Sequence, residues 1–282
     1  MSEIKLYHGD CLDLMNQIQD NSVDMILADL PYNLTQNSWD SIIPLEDLWL
    51  QYKRIIKANG AIVLFCKQPF TSYLVMSNIQ WYRYNMVWRK NLKTDNLNAR
   101  KRPMGAYEEI TVFYNNPPTY NPQRIPRTYQ QPSGNRFNSE TTNYGKQKEL
   151  YTDRQSEWLM PDDVIDEEDS YNLDLAELSN ELLYFDCVHN SSGKLHPTQK
   201  PVTLLEWLIK TYTNSGDTVL DNCMGSGSTG VACLNTNRNF IGMELDENYF
   251  HIAEERIKQA QINPEVPYRK SSNDGVKHKR LF

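Results

Sequence analysis

The stretch TVLDNCMGSGSTG, residues 218–230, decides the fold of this 282-residue chain. Its first four residues predict a buried strand ending in Asp221, the glycines predict a tight turn, and Thr229 to Leu234 predicts the start of a helix. The next predicted strand, Asn239–Leu245, carries Glu244 near its end. Glycines let the backbone approach a ligand closely, and a strand-end carboxylate can accept hydrogen bonds from ribose hydroxyls. The stretch therefore predicts a nucleotide-like cofactor site, which NAD, FAD and S-adenosylmethionine would fit about equally well.

Apolar runs without strict alternation recur along the rest of the chain, separated by amphipathic stretches. This pattern is typical of a largely parallel sheet that is covered on both faces. The predicted strands are Ile4–Tyr7, Val23–Ala28, Ala61–Cys66, Met86–Trp88 and Ile110–Tyr114. The predicted helices are Leu12–Gln19, Pro44–Lys57 (ended by Asn59-Gly60), Pro201–Thr213 and Glu247–Gln261. The expected fold class is α/β, a doubly wound, mostly parallel, Rossmann-like sheet.

The texture of the sequence changes after Tyr114, where Asn, Gln, Pro, Tyr and Arg dominate and periodicity is lost. Such a segment does not continue a sheet. We therefore predict one discontinuous domain, residues 1–114 and 185–262, interrupted by an insertion at 115–184 and followed by a tail at 263–282.

The net charge of −7 is unevenly distributed. Residues 1–80 carry −4, residues 81–160 carry +6, residues 161–190 carry −10 and residues 191–282 carry +1. A polyanion is attracted to the basic middle and repelled by the acidic run 162–181. The five cysteines form no C-x-x-C pair, and the chain shows no membrane-length apolar run or export signal. These features predict a protein of the reducing cytoplasm without a metal site.

A second motif, Asp29-Leu30-Pro31-Tyr32, follows the predicted strand Val23–Ala28. An exocyclic amine such as adenine N6 is a poor nucleophile because its lone pair is delocalised into the ring. The Asp29 carboxylate and the Leu30 carbonyl could accept its two hydrogens and localise that lone pair. Pro31 stiffens the turn, and Tyr32 could stack on the base. Asp29 is also suited to receive the released proton.

Taken together, the two motifs resemble those of the DNA amino-methyltransferases, in the permuted group whose catalytic motif precedes the cofactor motif. His8-Gly9-Asp10-Cys11 resembles the end of that family's first strand, and His196-Pro197-Thr198-Gln199-Lys200-Pro201 resembles its segment before the first helix of the cofactor half. The resemblance implies S-adenosylmethionine as cofactor, catalysis by Asp29, Leu30, Pro31 and Tyr32, and a target-recognition role for the insertion. The cofactor-binding residues that it implies are Asp10, Cys11, His196, Thr198, Lys200, Pro201, Asp221, Cys223, Met224, Gly225, Ser226, Gly227, Ser228, Thr229, Glu244 and Leu245.

Two positions depart from the family pattern. Leu30 stands where the family usually has proline, and Cys223 stands where it usually has an aromatic residue. The proposed role of residue 30 uses only its carbonyl, so activity should survive, whereas packing beneath the cofactor's purine should be weaker. Members with Asp at position 29 tend to act on adenine N6, and those with Ser tend to act on cytosine N4. The resemblance therefore favours adenine.

The expected substrate is double-stranded DNA, from which the target base must be flipped out. Basic side chains of the middle region are candidates for phosphate and base contacts: Arg89, Lys90, Lys93, Arg100, Lys101, Arg102, Arg124, Arg127 and Arg136. The resemblance also admits a homodimer and a separate restriction endonuclease as partners.

Three other functions remain open from the sequence. The same chemistry could act on cytosine N4. A nicotinamide oxidoreductase could use the glycine loop, although it leaves DLPY and the insertion unexplained. A DNA-binding protein without activity could have kept the fold, although Asp29 and Tyr32 are intact.

Overall fold

A computed structural model describes residues 2–32, 42–94, 99–101, 103–123, 125–126, 158–159, 182–188 and 199–262. The acidic run 162–181, the tail 263–282 and most of the predicted insertion lie outside these residues.

Eight of the described strands form one sheet in the order β1-β10-β9-β2-β3-β5-β4-β8. The strands of this sheet are β1 (Ile4–His8), β2 (Val23–Asp29), β3 (Ile56–Cys66), β4 (Tyr82–Thr94), β5 (Gly105–Phe113), β8 (Leu182–Tyr184), β9 (Thr218–Asp221) and β10 (Asn239–Glu244). Two short strands, β6 (Ile125–Pro126) and β7 (Trp158–Leu159), pair with each other. Five neighbouring pairs of the large sheet are parallel, and β5 runs antiparallel to both β3 and β4. The prediction of a mostly parallel α/β sheet is confirmed.

Helices cover both faces of this sheet. They are α1 (Cys11–Met15), α2 (Leu45–Ile55), α3 (Phe70–Ser77), α4 (Val202–Tyr212), α5 (Ser228–Asn235) and α6 (Glu247–Ile262). Met25 and Leu27 of β2 pack on the face of α4, α5 and α6, while Ile26 and Ala28 pack on the face of α1, α2 and α3. Successive residues of a strand point to opposite faces, so a strand with helices on both sides is apolar along its buried part, here residues 25–28. None of the helices in the described ranges is long and apolar enough to cross a membrane.

The helix predicted at Pro44–Lys57 ends earlier than expected. Helix α2 stops at Ile55, and β3 runs from Ile56 through Asn59 and Gly60, so the Asn-Gly pair does not end the helix. A Cβ atom at Gly60 would lie 2.8 Å from the carbonyl oxygen of Asp24 on the neighbouring strand. This glycine therefore permits close strand approach beside a register shift between β2 and β3.

Two further elements differ from expectation. Helix α3 was not predicted, because Phe70–Ser77 is rich in aromatic and β-branched residues and its apolar side chains do not follow one face: Tyr73 and Met76 are exposed. Strand β8 pairs with β4, and it is held there by a hydrogen bond of 2.8 Å from Trp88 Nε1 to the carbonyl of Phe185. The end of the range predicted as an insertion thus contributes a strand to the sheet.

The chain order reverses between β9 and β2, which lie side by side. From β9 the chain proceeds through α5 to β10 on one side, and from β2 it proceeds through α2 to β3 on the other. Ligands of open α/β sheets bind at such a reversal, outside the carboxyl ends of the strands. Asp29 ends β2 and Asp221 ends β9, so the two sequence motifs meet at this point.

Candidate active site

A cavity opens at this edge of the sheet and joins the two motifs. All four residues of the DLPY stretch line it. The predicted cofactor residues that line it are Asp10, Cys11, Lys200, Asp221, Cys223, Met224, Gly225, Ser226, Ser228, Thr229, Glu244 and Leu245. The structure therefore brings together residues that lie more than two hundred positions apart in the sequence.

Four predicted cofactor residues are not placed in the cavity. His196 and Thr198 lie outside the described residues. Pro201 precedes α4 and is buried, but it is not part of the cavity lining.

Gly227, the fourth of these residues, is not among those that line the cavity. Its φ is +77°, and a Cβ atom there would lie 3.0 Å from the Cβ of Ala253 on α6. The glycine serves the left-handed start of α5 and the packing of α6 against it.

Asp221 fixes the shape of the glycine loop. Its Oδ1 accepts a hydrogen bond of 3.0 Å from the Cys223 amide, and its Oδ2 accepts one of 2.6 Å from Thr229 Oγ1. Burial raises the pKa of Asp221 to about 7, and these two hydrogen bonds partly oppose that rise. The carboxyl therefore ties the strand end to the first turn of α5.

Glu244 closes the loop from the neighbouring strand. Its Oε2 accepts a hydrogen bond of 2.8 Å from the Gly225 amide, and its Oε1 accepts one of 2.9 Å from the Asp246 amide. Burial raises the pKa of this carboxyl above its ordinary value. A carboxylate oxygen can accept more than one hydrogen bond, so Glu244 retains acceptor capacity toward the cavity.

Asn222 connects the loop to the opposite helix layer. Its Oδ1 accepts a hydrogen bond from the hydroxyl of Tyr52, and its Nδ2 contacts Cys223 Sγ at 3.4 Å and Cys11 Sγ at 3.5 Å. A hydrogen bond from Cys223 lowers the pKa of Cys11 and raises the pKa of Cys223 itself. The position where the resemblance led us to expect an aromatic ring thus carries one of two adjacent thiols.

Asp29 has a partner on each carboxylate oxygen. Tyr32 donates its hydroxyl proton to Oδ1 over 2.5 Å, and the Lys200 ammonium donates to Oδ2. Burial raises the pKa of Asp29, and the positive charge of Lys200 opposes this rise. Lys200, predicted to contact the cofactor, therefore also contacts the predicted catalytic carboxylate.

Tyr32 packs against Phe70 at the start of α3, with ring centroids 5.4 Å apart and planes inclined by 31°. Burial, together with the adjacent Asp29, raises the pKa of the phenol well above its usual value. The hydroxyl is therefore a proton donor to Asp29 across the neutral pH range, and the ring is held by an aromatic neighbour.

The predicted DNA-binding residues are only partly described. Arg89, Arg100 and Lys101 are exposed. Lys90 is directed to Glu108 by an ion pair and its side chain is only 14% exposed, so the structure gives it a carboxylate partner rather than a free surface. Lys93 is in β4 without a described side chain, and Arg102, Arg124, Arg127 and Arg136 lie outside the described residues.

Several cavity residues were missed by the sequence analysis. Asn222 lies inside the quoted motif, and Gly9 lies beside Asp10, so proximity to a motif was an available signal. Phe65 and Tyr249 also line the cavity, and Glu108 approaches it through Lys200. No local pattern marks these three, because the sheet order places them there.

Comparison with known proteins identifies the family. Residues 23–255 match the family model N6_N4_Mtase, described as DNA methylase. The chain belongs to this DNA methylase family. Since that match spans most of the chain, the protein is a DNA methyltransferase, and S-adenosylmethionine is its methyl donor.

Relatives and solved structures agree with this assignment. Type II methyltransferase M2.MboI of Moraxella bovis is 27% identical over 281 residues, covering 90% of this chain and 87% of the relative. M.HpaI of Haemophilus parainfluenzae is 24% identical over 270 residues, covering 90% and 74%. The M1.HpyAVI–SAM complex has a TM-score of 0.58 at 25% identity, covering 90% of this chain and 99% of that one. The cytosine-N4-specific PvuII methyltransferase has a TM-score of 0.56 at 17% identity, covering 92% and 91%, which shows the shared fold.

Proposed function

We propose that this DNA methyltransferase is site-specific and methylates the N6 amino group of adenine in double-stranded DNA. The observation that carries methyl transfer to an amine is the position of the Asp29 carboxylate, which ends β2 beside the cofactor loop and lines the same cavity as Gly225 and Glu244. The choice of adenine rests on the residue type at position 29, since the resemblance associates Asp there with adenine N6 and Ser with cytosine N4. An acceptor and a cofactor site in one cavity are what transfer to an amine requires. The family description alone covers both N6 and N4 amines.

The cavity residues fit the cofactor. Glu244 and Asp10 supply carboxylates for hydroxyl and amine donors, and the loop from Cys223 to Ser226 supplies backbone and small side chains. When bound, S-adenosylmethionine supplies an electrophilic methyl group. The chain's own part is to hold the target amine in line with that methyl group and to exclude water.

Asp29 and Leu30 activate the amine. Each oxygen of a carboxylate has two lone pairs, so Asp29 can accept a target N–H beside the bonds from Tyr32 and Lys200. With Asp29 and the Leu30 carbonyl accepting its two hydrogens, the amine nitrogen loses conjugation with the ring and exposes its lone pair. Methyl transfer would form the N–C bond and break the C–S bond of the donor, leaving its sulfur as a neutral thioether, and Asp29 would take the proton that the nitrogen releases.

DNA is expected to enter from the side of the basic middle region. Exposed Arg89, Arg100 and Lys101 are candidates for phosphate contacts, and the ring of Tyr32 is the candidate platform for the flipped base. We assign target recognition to residues 115–181, which exclude strand β8 of the sheet and whose Asn, Gln and Arg suit base-edge contacts.

The remaining proposals rest on sequence. Five free thiols in the structure suit the reducing cytoplasm. Membership of the permuted group follows from the order of DLPY and the glycine loop along the chain. A homodimer and a separate restriction endonuclease follow from the resemblance alone; light scattering of the purified protein tests the first.

The decisive experiment incubates the purified protein with S-adenosylmethionine and unmethylated genomic DNA, and maps modified bases by single-molecule sequencing. N6-methyladenine at one short recurring sequence is the expected result. N4-methylcytosine would keep the family and overturn the choice of base. Modification without sequence preference would overturn site specificity.

The matching variant is Asp29→Ala, with Asp20→Ala as control because Asp20 is exposed and pairs with Arg54 away from the cavity. Asp29→Ala should lose methylation by roughly a hundredfold or more, the range expected for loss of a general base. Its affinity for S-adenosylmethionine, measured by calorimetry, should change little. Methylation at the normal rate would contradict the role given to Asp29.

A further inference from the structure

Four charged side chains form a row of alternating sign that begins at the predicted catalytic carboxylate, Asp29. Asp29 pairs with Lys200, Lys200 Nζ lies 3.5 Å from Glu108 Oε2, and Lys90 pairs with Glu108 Oε1. Their side-chain exposures are 21% for Asp29, 7% for Lys200, 13% for Glu108 and 14% for Lys90. Charges buried to this degree are costly unless they are paired, so each member depends on its neighbours.

The antiparallel part of the sheet supplies the last two members of the row. Strand β5 runs opposite to β3, and Glu108 comes just before the residue paired with Cys66, the last residue of β3. Glu108 therefore lies at the same edge of the sheet as Asp29. On β4, Lys90 follows Trp88 by two residues and shares its face, with Nζ 5.0 Å from the centroid of the Trp88 ring.

The neighbouring residue Glu109 shows that this placement is specific to one face. Its Oε2 accepts a hydrogen bond of 2.6 Å from Thr71 Oγ1 on α3. Two adjacent glutamates of one strand therefore have unrelated environments, because successive side chains point to opposite faces.

Lys200 is shared between two carboxylates. Burial alone would lower the pKa of its ammonium, but Asp29 and Glu108 outweigh burial and raise it. Burial also works against ionisation of Glu108, and the charges of Lys200 and Lys90 outweigh it, so the pKa of Glu108 is lowered. Among the described residues no group donates a hydrogen bond to Glu108 Oε2, so its compensation is the charge of Lys200.

We propose that Glu108 and Lys90 are positioning residues for methyl transfer, which together hold the Lys200 ammonium between two carboxylates: Glu108 keeps Lys200 from saturating Asp29, and Lys90 offsets the charge of Glu108 so that Asp29 stays ionised. This inference rests on the proposed role of Asp29. Lys200 interacts with both carboxylates. Because Lys90 also pairs with Glu108, Glu108 does not pull the Lys200 ammonium away from Asp29. Asp29 then retains acceptor capacity for the target amine.

The row predicts opposite consequences for substitutions of its last two members, Glu108 and Lys90. The charged and titratable groups that face Asp29 are Lys200, Glu108, Tyr32 and Asp221. The negative charge of Glu108 raises the pKa of Asp29, so Glu108→Gln should lower it. In Lys90→Met, Glu108 draws on Lys200 alone, Asp29 loses part of its compensation, and its pKa should rise.

The experiment measures the single-turnover rate constant against pH on the mapped target sequence, with saturating S-adenosylmethionine. Activity needs ionised Asp29, so the rate falls on the acid side as Asp29 is protonated. Lys90→Met should move this acid limb to higher pH and Glu108→Gln should move it to lower pH, each by roughly one unit, which is about a tenfold change in the ionised fraction. Glu108→Gln should also lower the maximal rate, because Lys200 then competes with the target amine for Asp29.

Conservative and matched variants separate positioning from a general structural effect. Lys90→Arg keeps the charge and should restore the normal profile. Glu109→Gln removes the adjacent carboxylate on the opposite face, and Lys57→Met removes an exposed lysine paired with Asp24; both should leave the profile unchanged. The inference would be overturned if the acid limb stayed in place in Glu108→Gln and Lys90→Met. It would also be overturned if the limb moved in the same direction in both variants.

Two further measurements keep the outcomes distinct. If a single variant does not fold, the double variant Lys90→Met/Glu108→Gln can be used, because it removes one charge of each sign and leaves no unpaired partner. The acid limb of its pH–rate profile should move to lower pH. A limb that does not move would overturn the inference. Asp29→Ala run in parallel tests the role on which the inference rests. An active Asp29→Ala overturns both, whereas an inactive Asp29→Ala with unshifted profiles in the row variants overturns only the inference.

Discussion

The hydroxyl of Tyr52 donates a hydrogen bond of 2.5 Å to Asn222 Oδ1, although the two residues are 170 positions apart. Tyr52 is fully buried on α2, and Asn222 is the residue after the strand end that opens the glycine loop. The helix layer that follows DLPY therefore holds the glycine loop, for which we propose cofactor binding.

Tyr52→Phe should weaken cofactor binding. The change leaves Asn222 Oδ1 buried and unpaired, which costs about 1–3 kcal/mol. Part of that cost should appear as a several-fold increase in the dissociation constant of S-adenosylmethionine, measured by calorimetry. Tyr212→Phe is the matched control, because this buried phenol bonds Tyr84 away from the cavity; it should lower stability without changing cofactor affinity. Equal effects of the two variants on affinity would refute the link.

Gly227→Ala should destabilise the protein more than Gly216→Ala does. Both glycines have positive φ, +77° and +88°, so both variants carry the left-handed penalty of about 1–2 kcal/mol. At Gly227 the added Cβ also meets Ala253 at 3.0 Å, whereas at Gly216 nothing lies within 4 Å. Overpacking at Gly227 should add roughly 1–3 kcal/mol. Urea denaturation of the two variants measures the difference, which would vanish if α6 did not pack on this turn.

Asp221 should make the cofactor-free protein less stable as the pH rises from about 4 to about 7. The folded pKa of about 7 lies above the ordinary value of 3.8, so between these values the folded state holds a proton that the unfolded state has released. The contribution of Asp221 to the free energy of unfolding is fully present at pH values below its pKa in the unfolded state. It is lost as the pH rises through its pKa in the folded state, a change of about 4 kcal/mol.

Asp221→Asn is the variant that isolates this effect. Asparagine can accept from the Cys223 amide and donate to Thr229 Oγ1, but it does not titrate. The unfolding free energy of Asp221→Asn relative to the unmodified protein should therefore increase with pH over that range. If the curves of unfolding free energy against pH were parallel for the two proteins, Asp221 would not be protonated in the folded state.

Two substitutions should separate the role of the Tyr32 hydroxyl from that of the Tyr32 ring. Tyr32→Phe keeps the ring on Phe70 but removes the hydrogen bond to Asp29, so the pKa of Asp29 should rise and the acid limb of methylation should move to higher pH. Tyr32→Ala also removes the stacking surface, worth about 1–3 kcal/mol per base. Fluorescence of 2-aminopurine at the target position should then report less stable extrusion in Tyr32→Ala than in Tyr32→Phe. Tyr73→Ala, an exposed tyrosine of α3, should match the unmodified protein in both assays.

Elements that are marked by nearby residues could be predicted from the sequence. Strand β9 was predicted with its observed bounds, and the DLPY turn and glycine loop were predicted at the sheet edge where they lie, because each carries its own apolar run, turn residues and carboxylate. The family resemblance gave the methyl donor, which the family match confirms.

The pairing of Lys200 with Asp29 could not be predicted, because it spans 171 positions and depends on where α4 packs. Glu108 and Glu109 are indistinguishable in sequence, and only the pleat of β5 directs Glu108 to Lys200 and Glu109 to Thr71. Gly225 and Gly227 are equally alike: the first lines the cavity, and the second packs against α6. These roles depend on contacts between distant parts of the chain and on which face of a strand each side chain occupies, and neither can be read from the local sequence.

Strand β1 lies at one edge of the described sheet, where its neighbour is β10 and Ile4 lies opposite Phe240. Among the described strands β1 comes first along the chain and β10 comes last, so during synthesis on the ribosome β1 cannot pair with its neighbour until the other described strands have been made. Strands β2 and β3 can pair early, but a product that terminates before residue 218 lacks the glycine loop, Glu244 and the partner of β1. Such truncated products retain the DLPY corner but lack the loop side of the cavity, so we expect them not to methylate DNA.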